Sequence, residues 1–182
     1  MKSYKKLYIT GTAIIIVLLA AALIYLGFQN RAPYIAVFDG EKIFLDEYTL
    51  YLVEQQRAFE QTGGADIWDT NFDGEPAIER AKRNALDSIV YVKAALKLNE
   101  ENGDVTSYDT EELSATVDEY YVNLSENQKR VIGMEAVEKV MRETALIANL
   151  SDEESVSEIE GIISAGVTQR NPDVWDSVGY IE

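Results

Sequence analysis

Cysteine and histidine are both missing from the 182-residue sequence. Their absence removes disulfides, thiolate nucleophiles, lipid-modified cysteine, the imidazole base and the usual zinc sites. Basic residues are few: 16 Lys and Arg stand against 32 Asp and Glu, for a formal charge of −16. Every acidic residue lies after Arg31 and only 12 basic ones do, so the portion from Ala32 onward carries −20. That surface repels phosphate backbones and excludes nucleic acid as an expected partner. With 47% hydrophobic residues, the chain still holds the apolar material for a core, unlike a disordered acidic segment. One membrane element and one modest domain fit the length.

Residues 7–28 form a run of 22 without a charged side chain, and a helix of that length rises roughly 33 Å, enough to span a bilayer. Lys2, Lys5 and Lys6 precede it and only Arg31 follows closely, which predicts a cytoplasmic amino terminus and an exported remainder. A cleaved signal peptide is the rival, with Ala20, Ala21 and Ala22 as a small-residue site. The uncleaved anchor is preferred, because apolar residues continue through Leu23, Ile24, Tyr25, Leu26 and Phe28.

The expected divisions are a cytoplasmic tip and anchor over 1–31, a helical domain over 32–150, and a short helix with a tail over 151–182. Pro33 breaks any continuous helix out of the membrane. The β-formers of Tyr34 to Phe38, the turn signal Asp39-Gly40 and Lys42 to Phe44 predict a small hairpin that must lean on helices. A first helix over 45–61 places Leu45, Tyr48, Leu52 and Phe59 on one face and stops at Gly63-Gly64. A long helix over 76–102 steps through Ile78, Ala81, Ala85, Ile89, Val92 and Leu96 to Gly103. Asp109 with Glu112 opens a third, with Leu113, Val117, Tyr120 and Leu124 inward. Ser125 caps a short helix ending at Gly133. Residues 134–150 carry the stripe Val137, Met141, Ala145 and Ala148, and Ser151 with Glu154 reads as a capping box before Val156, Ile159 and Ile163. Past Gly166 the periodicity fades, which predicts a tail that docks weakly or waits for a partner.

The order of these signals carries a resemblance. Val37-Phe38-Asp39-Gly40-Glu41-Lys42-Ile43 followed by Leu45-Asp46-Glu47-Tyr48, then Gly64-Ala65-Asp66-Ile67-Trp68-Asp69, Asp73-Gly74, Ala85-Leu86-Asp87-Ser88-Ile89-Val90 and Val137-Glu138-Lys139-Val140-Met141-Arg142-Glu143 resembles the SurA-like N-terminal domain. That domain occurs in exported peptidyl-prolyl isomerases and foldases, including the PrsA type, and the likeness covers residues 34–150. It implies a helical clasp, related to the chaperone part of trigger factor, that holds unfolded polypeptides. Only 32 residues follow Leu150, against about a hundred for a separate parvulin domain, and the histidine common in parvulin sites is missing. The resemblance therefore implies a chaperone-like module without the isomerase unit. The lipidated cysteine of the PrsA type is missing as well, and the spanning helix would take its place.

Asp69-Thr70-Asn71-Phe72-Asp73-Gly74 spaces oxygen ligands as an EF-hand loop begins, so Asp69, Asn71 and Asp73 are calcium candidates. Position twelve, where a bidentate Glu belongs, is Arg80, which favours a polar turn ahead of Pro76. The pairs Glu111-Glu112 and Glu153-Glu154 read as helix starts complementing the dipole rather than as acid and base. Among the tyrosines, Tyr48 and Tyr120 fall on inward stripes, while Tyr51, Tyr91 and Tyr121 are candidates for a polypeptide-contacting surface. Trp175 and Tyr180 in the tail either anchor a partner or cover an apolar gap. The sequons at Asn123 and Asn149 read as helix-end chemistry.

The expected protein is mostly α, with an N-terminal transmembrane helix and a SurA N-terminal-like helical domain bearing a small β-hairpin. Its expected function is that of a single-pass membrane chaperone or scaffold, facing outward and without cofactor or catalysis, that binds unfolded or secreted chains. The alternative is an adaptor docking one folded envelope protein through residues 166–182. A true isomerase is the least favoured reading, since no acid, base or enclosed apolar site is evident.

Overall fold

The computed structural model of the protein describes residues 33–103 and 109–181. The expected anchor over 7–28 lies outside them, and among the described residues no helix is long and apolar enough to cross a membrane. The architecture is mostly helical with a small sheet.

Tyr34–Phe38 (β1) and Glu41–Phe44 (β2) pair antiparallel, with a bulge at Ile35. Asp39 and Gly40 both take positive φ, 51° and 87°, the mirror-image turn whose twist matches that of the flanking strands. Helix α1 (Leu45–Gly63) follows without a break, then a 3-10 turn over Ala65–Asp69. A second, minimal hairpin of β3 (Asn71–Phe72) and β4 (Glu75–Pro76) leads into the long α2 (Ala77–Asn102). Beyond Asp109 come α3 (Thr110–Val122), α4 (Glu126–Val131), α5 (Met134–Leu146) and α6 (Glu153–Ala165). The chain then forms a third strand, β5 (Thr168–Arg170), and a single turn, α7 (Pro172–Trp175).

Local chemistry explains the boundaries. Asp109 accepts from the backbone N–H groups of Glu111 and Glu112, and Ser125 and Gln128 exchange both bonds of a capping box, which satisfies donors that a helix start leaves open. The expected box at Ser151 is replaced by Asp152, whose side chain accepts from the Ser155 N–H. The backbone amide of Ser155, and then its hydroxyl, reach that carboxylate and hold its pKa below the ordinary aspartate value. Helix α5 stops at Leu146, four residues short of the expectation, and turns through Ile147 to Leu150.

Two apolar clusters share α1 as their wall. Ile35, Phe38, Ile43, Tyr48, Leu52, Ala85, Ile89, Ile159 and Trp175 belong to the first; Leu50, Val53, Val117, Leu124, Ile132, Val137 and Val140 belong to the second. Helix α1 is therefore buried on two faces, and the single stripe read from Leu45, Tyr48, Leu52 and Phe59 captures only one. Alanines at 81, 85, 94 and 95 on α2, all inaccessible, let neighbouring backbones approach closely.

The tail is a correction to the sequence reading. The segment from 151 onward belongs to the same compact unit as the rest from Pro33, because β5 pairs with β1 through Ala36–Arg170, Val37–Gln169 and Phe38–Thr168. The sheet order is thus β2-β1-β5. Gly166 permits the return: the Phe38 ring stands 2.6 Å from where a Cβ would be. Three exposed polar residues, Thr168-Gln169-Arg170, give no periodicity from which to predict a strand; the partner, not the segment's own pattern, decides the conformation.

Candidate functional site

Three side-chain constellations stand out: the first borders a polar cavity of about 390 Å³ that also takes in Asp39, Lys97 and Glu100, and the third is a more apolar open groove. The first is a buried ion cluster between β2, α1, α2 and α5. Lys93 Nζ lies 3.0 Å from Glu41, 3.3 Å from Glu47 and 3.2 Å from Glu143 carboxylate oxygens. Lys139 Nζ sits 2.6 Å from the second Glu47 oxygen and 3.8 Å from Glu143. Glu47 is 2% exposed. Burial pushes the Lys93 ammonium toward its neutral form, but the charges of Glu47, Glu143 and Glu41 outweigh it and hold the pKa above the ordinary lysine value. A lysine held protonated is not a Schiff-base nucleophile at neutral pH. The neighbouring Tyr51 phenol is raised by burial and then by Glu47 and Glu143, so it too stays protonated. This cluster ties α1 to α2 and α5 through ion pairs.

The second constellation is the aromatic clasp of the tail. Trp175, 6% exposed, lies 5.9 Å from the Tyr48 ring, with Lys82 Nζ at 4.9 Å and the Arg170 guanidinium at 4.3 Å from its ring centre. Lys82 also donates to the Trp175 carbonyl at 2.9 Å, and the Tyr48 hydroxyl donates to the Lys82 carbonyl at 3.0 Å. Tyr180, 48% exposed, donates to Glu60, which also accepts from the Trp68 indole. These two bonds, Tyr180 first, hold the Glu60 carboxyl below its ordinary value.

The third is a groove between α3 and α5. Leu113 and Thr116 form one wall; Met141, Thr144, Ala145 and Ala148 form the other, enclosing about 390 Å³. Both threonine hydroxyls donate within their own helices, to the Glu112 and Val140 carbonyls, so neither needs a partner in the groove. Asp109 and Glu112 stand on its rim, and among the described residues no basic side chain lines it.

The chain matches no protein family, no curated protein and no solved structure.

The candidate tyrosines do not assemble into one surface. Tyr91 packs half-buried against the first cluster, Tyr121 half-buried against the second, and Tyr51 touches both. Trp175 is a core residue that fills a gap beneath the hairpin, and of the five only Tyr180 is exposed. The calcium candidates are placed on a hairpin: Asn71 pairs with Pro76, and Asp73-Gly74 is its turn, with φ of 55° and 89°. Arg80 lies 3.5 Å from Asp73 and 3.3 Å from Glu75 and donates to the Phe72 carbonyl. A fixed cation thus already serves the carboxylates of this turn. Among the described residues, no cluster of three His, Cys, Asp or Glu is arranged to hold a metal ion. Millimolar calcium is expected to leave the melting temperature unchanged; a rise of several degrees, removed by Asp73→Ala, would overturn that. The groove residues Leu113, Met141, Ala145 and Ala148 were legible as stripes, but as core. Their missing signal was the number of helices available to cover them.

Proposed function

We propose that the protein is a membrane-anchored, outward-facing holding chaperone of SurA N-terminal-like type, which binds unfolded or secreted polypeptides without catalysing their isomerisation. The observation that carries this reading is the apolar groove between α3 and α5, which no element of the described chain fills. Apolar surface left open in this way attracts segments that a folding chain has not yet buried. The charge of −20 from Ala32 onward keeps the loaded protein soluble and favours basic clients. An anchor at residues 7–28 would confine it to chains emerging from the membrane by raising their local concentration.

Light scattering of a chemically unfolded client tests this. A severalfold molar excess of the protein is expected to lower the scattering, and the effect is expected to weaken as salt is raised. Undiminished scattering at that excess contradicts the reading. The adaptor alternative, with residues 166–182 as its contact, loses its simplest form because β5 and Trp175 are engaged within the fold.

A further inference from the structure

The walls of the groove repeat one spacing. At the cap of α3 and along it the lining positions are Asp109, Glu112, Leu113 and Thr116; on α5 and the turn after it they are Met141, Thr144, Ala145 and Ala148. Each set follows i, i+3, i+4, i+7, the stripe one helix presents to another. The backbone groups inside both walls are satisfied within their own helices. A client entering in extended form would therefore surrender its hydration to a surface offering no ladder of donors and acceptors, leaving its peptide groups unpaired. A client entering as a helix brings its hydrogen bonds with it. The charge on the rim then selects among helices: exposed Glu112 and Asp109, whose carboxylate also caps α3, stand at the entrance, and among the described residues no basic side chain lines it. A second copy of this chain would bring the same acidic surface and meet repulsion. Resting on the chaperone reading, we infer that the groove receives its client segment as an amphipathic helix, with apolar anchors at i, i+3, i+4 and i+7 and Lys or Arg beside them.

The test uses the full chain and a labelled 16-residue helix-forming peptide with leucines at that spacing and lysines flanking them. Anisotropy is expected to show saturable binding. A peptide with glutamates replacing the lysines, and one interrupted by proline, are each expected to bind about tenfold or more weakly. Met141→Glu should abolish binding; because that change touches packed residues, Ala148→Glu, at an exposed position, provides the second variant and should weaken binding about tenfold. Asp109→Asn, which keeps a capping side chain, should reduce the preference for lysine over glutamate. Equal binding of all three peptides, tighter binding of the proline peptide, or indifference to both groove substitutions overturns the inference. The two levels separate cleanly. Suppressed aggregation with no groove-dependent peptide binding defeats the helical-client inference alone. Groove-dependent peptide binding with no suppressed aggregation defeats the chaperone reading and leaves a docking module.

Discussion

Replacing Trp175 by alanine is expected to remove about 3–5 kcal/mol of stability, the usual cost of emptying a buried aromatic site. Domains of ordinary size carry only about 5–15 kcal/mol in total, so the variant should melt far below the parent. The expectation rests on position: the indole packs on Tyr48 between Lys82 and Arg170, and its carbonyl takes a bond from a buried ammonium. Losing the ring therefore loosens α1, α2 and the β1–β5 pairing together. Tyr180→Ala, five residues on but half in solvent, should cost under about 1 kcal/mol. Thermal melts followed by far-ultraviolet circular dichroism decide it. Equal melting of the parent and Trp175→Ala would return the tail to the status of an undocked appendage.

Lys93→Met should be nearly as damaging. Removing one partner of a buried ion cluster leaves the others uncompensated, at a cost of about 3–5 kcal/mol. Among the described residues, Glu47 and Glu143 would retain only Lys139 between them. Combining Lys93→Met with Glu47→Gln should recover part of the loss, since the second change removes the stranded charge. The pH dependence has a definite sign. A lysine whose folded pKa is raised adds stability that is complete below its ordinary value and fades as pH climbs through the folded one. The parent should therefore hold its melting temperature from neutrality to about pH 10, where an ordinary lysine begins to titrate, and lose it only above that. Lys93→Met should flatten this alkaline limb without removing it, because the Tyr51 phenol, raised by burial and by Glu47 and Glu143, follows the same linkage. A fully stable Lys93→Met variant would mean that the cluster contributes nothing to docking α5.

The sequence made the helices legible because their chemistry is local. Gly103 takes the left-handed conformation that ends α2, and Asp109 and Ser125 cap the helices that follow them; each acts within a few residues of the boundary it sets. Asp39-Gly40 defined the first hairpin in the same way. What escaped reading depends on partners distant in the chain. β5 has no apolar alternation and exists because β1 lies beside it. Asp152 rather than Ser151 caps α6, a one-residue choice that both side chains could have satisfied. Lys93 falls four residues after Ile89 on the buried side of α2, and Glu47 stands beside buried Tyr48; a charge inside an apolar stripe was the available sign of an internal ion cluster. The groove was hidden for a related reason. Periodicity shows which side of a helix is apolar but not whether the fold supplies enough neighbours to cover it, and α3 and α5 leave part of their facing stripes open.

Site-specific photo-crosslinking tests the central claim most directly. A photoreactive side chain at Ala148, inside the groove, is compared with one at Val167, which is well exposed and whose carbonyl accepts from the Asp39 N–H of the first turn. With an unfolded client present, the account predicts strong crosslinking from position 148 and little from position 167, with the signal at 148 lost in Met141→Glu. Equal yields from the two positions, or none from 148 while aggregation is still suppressed, would show that clients are held elsewhere.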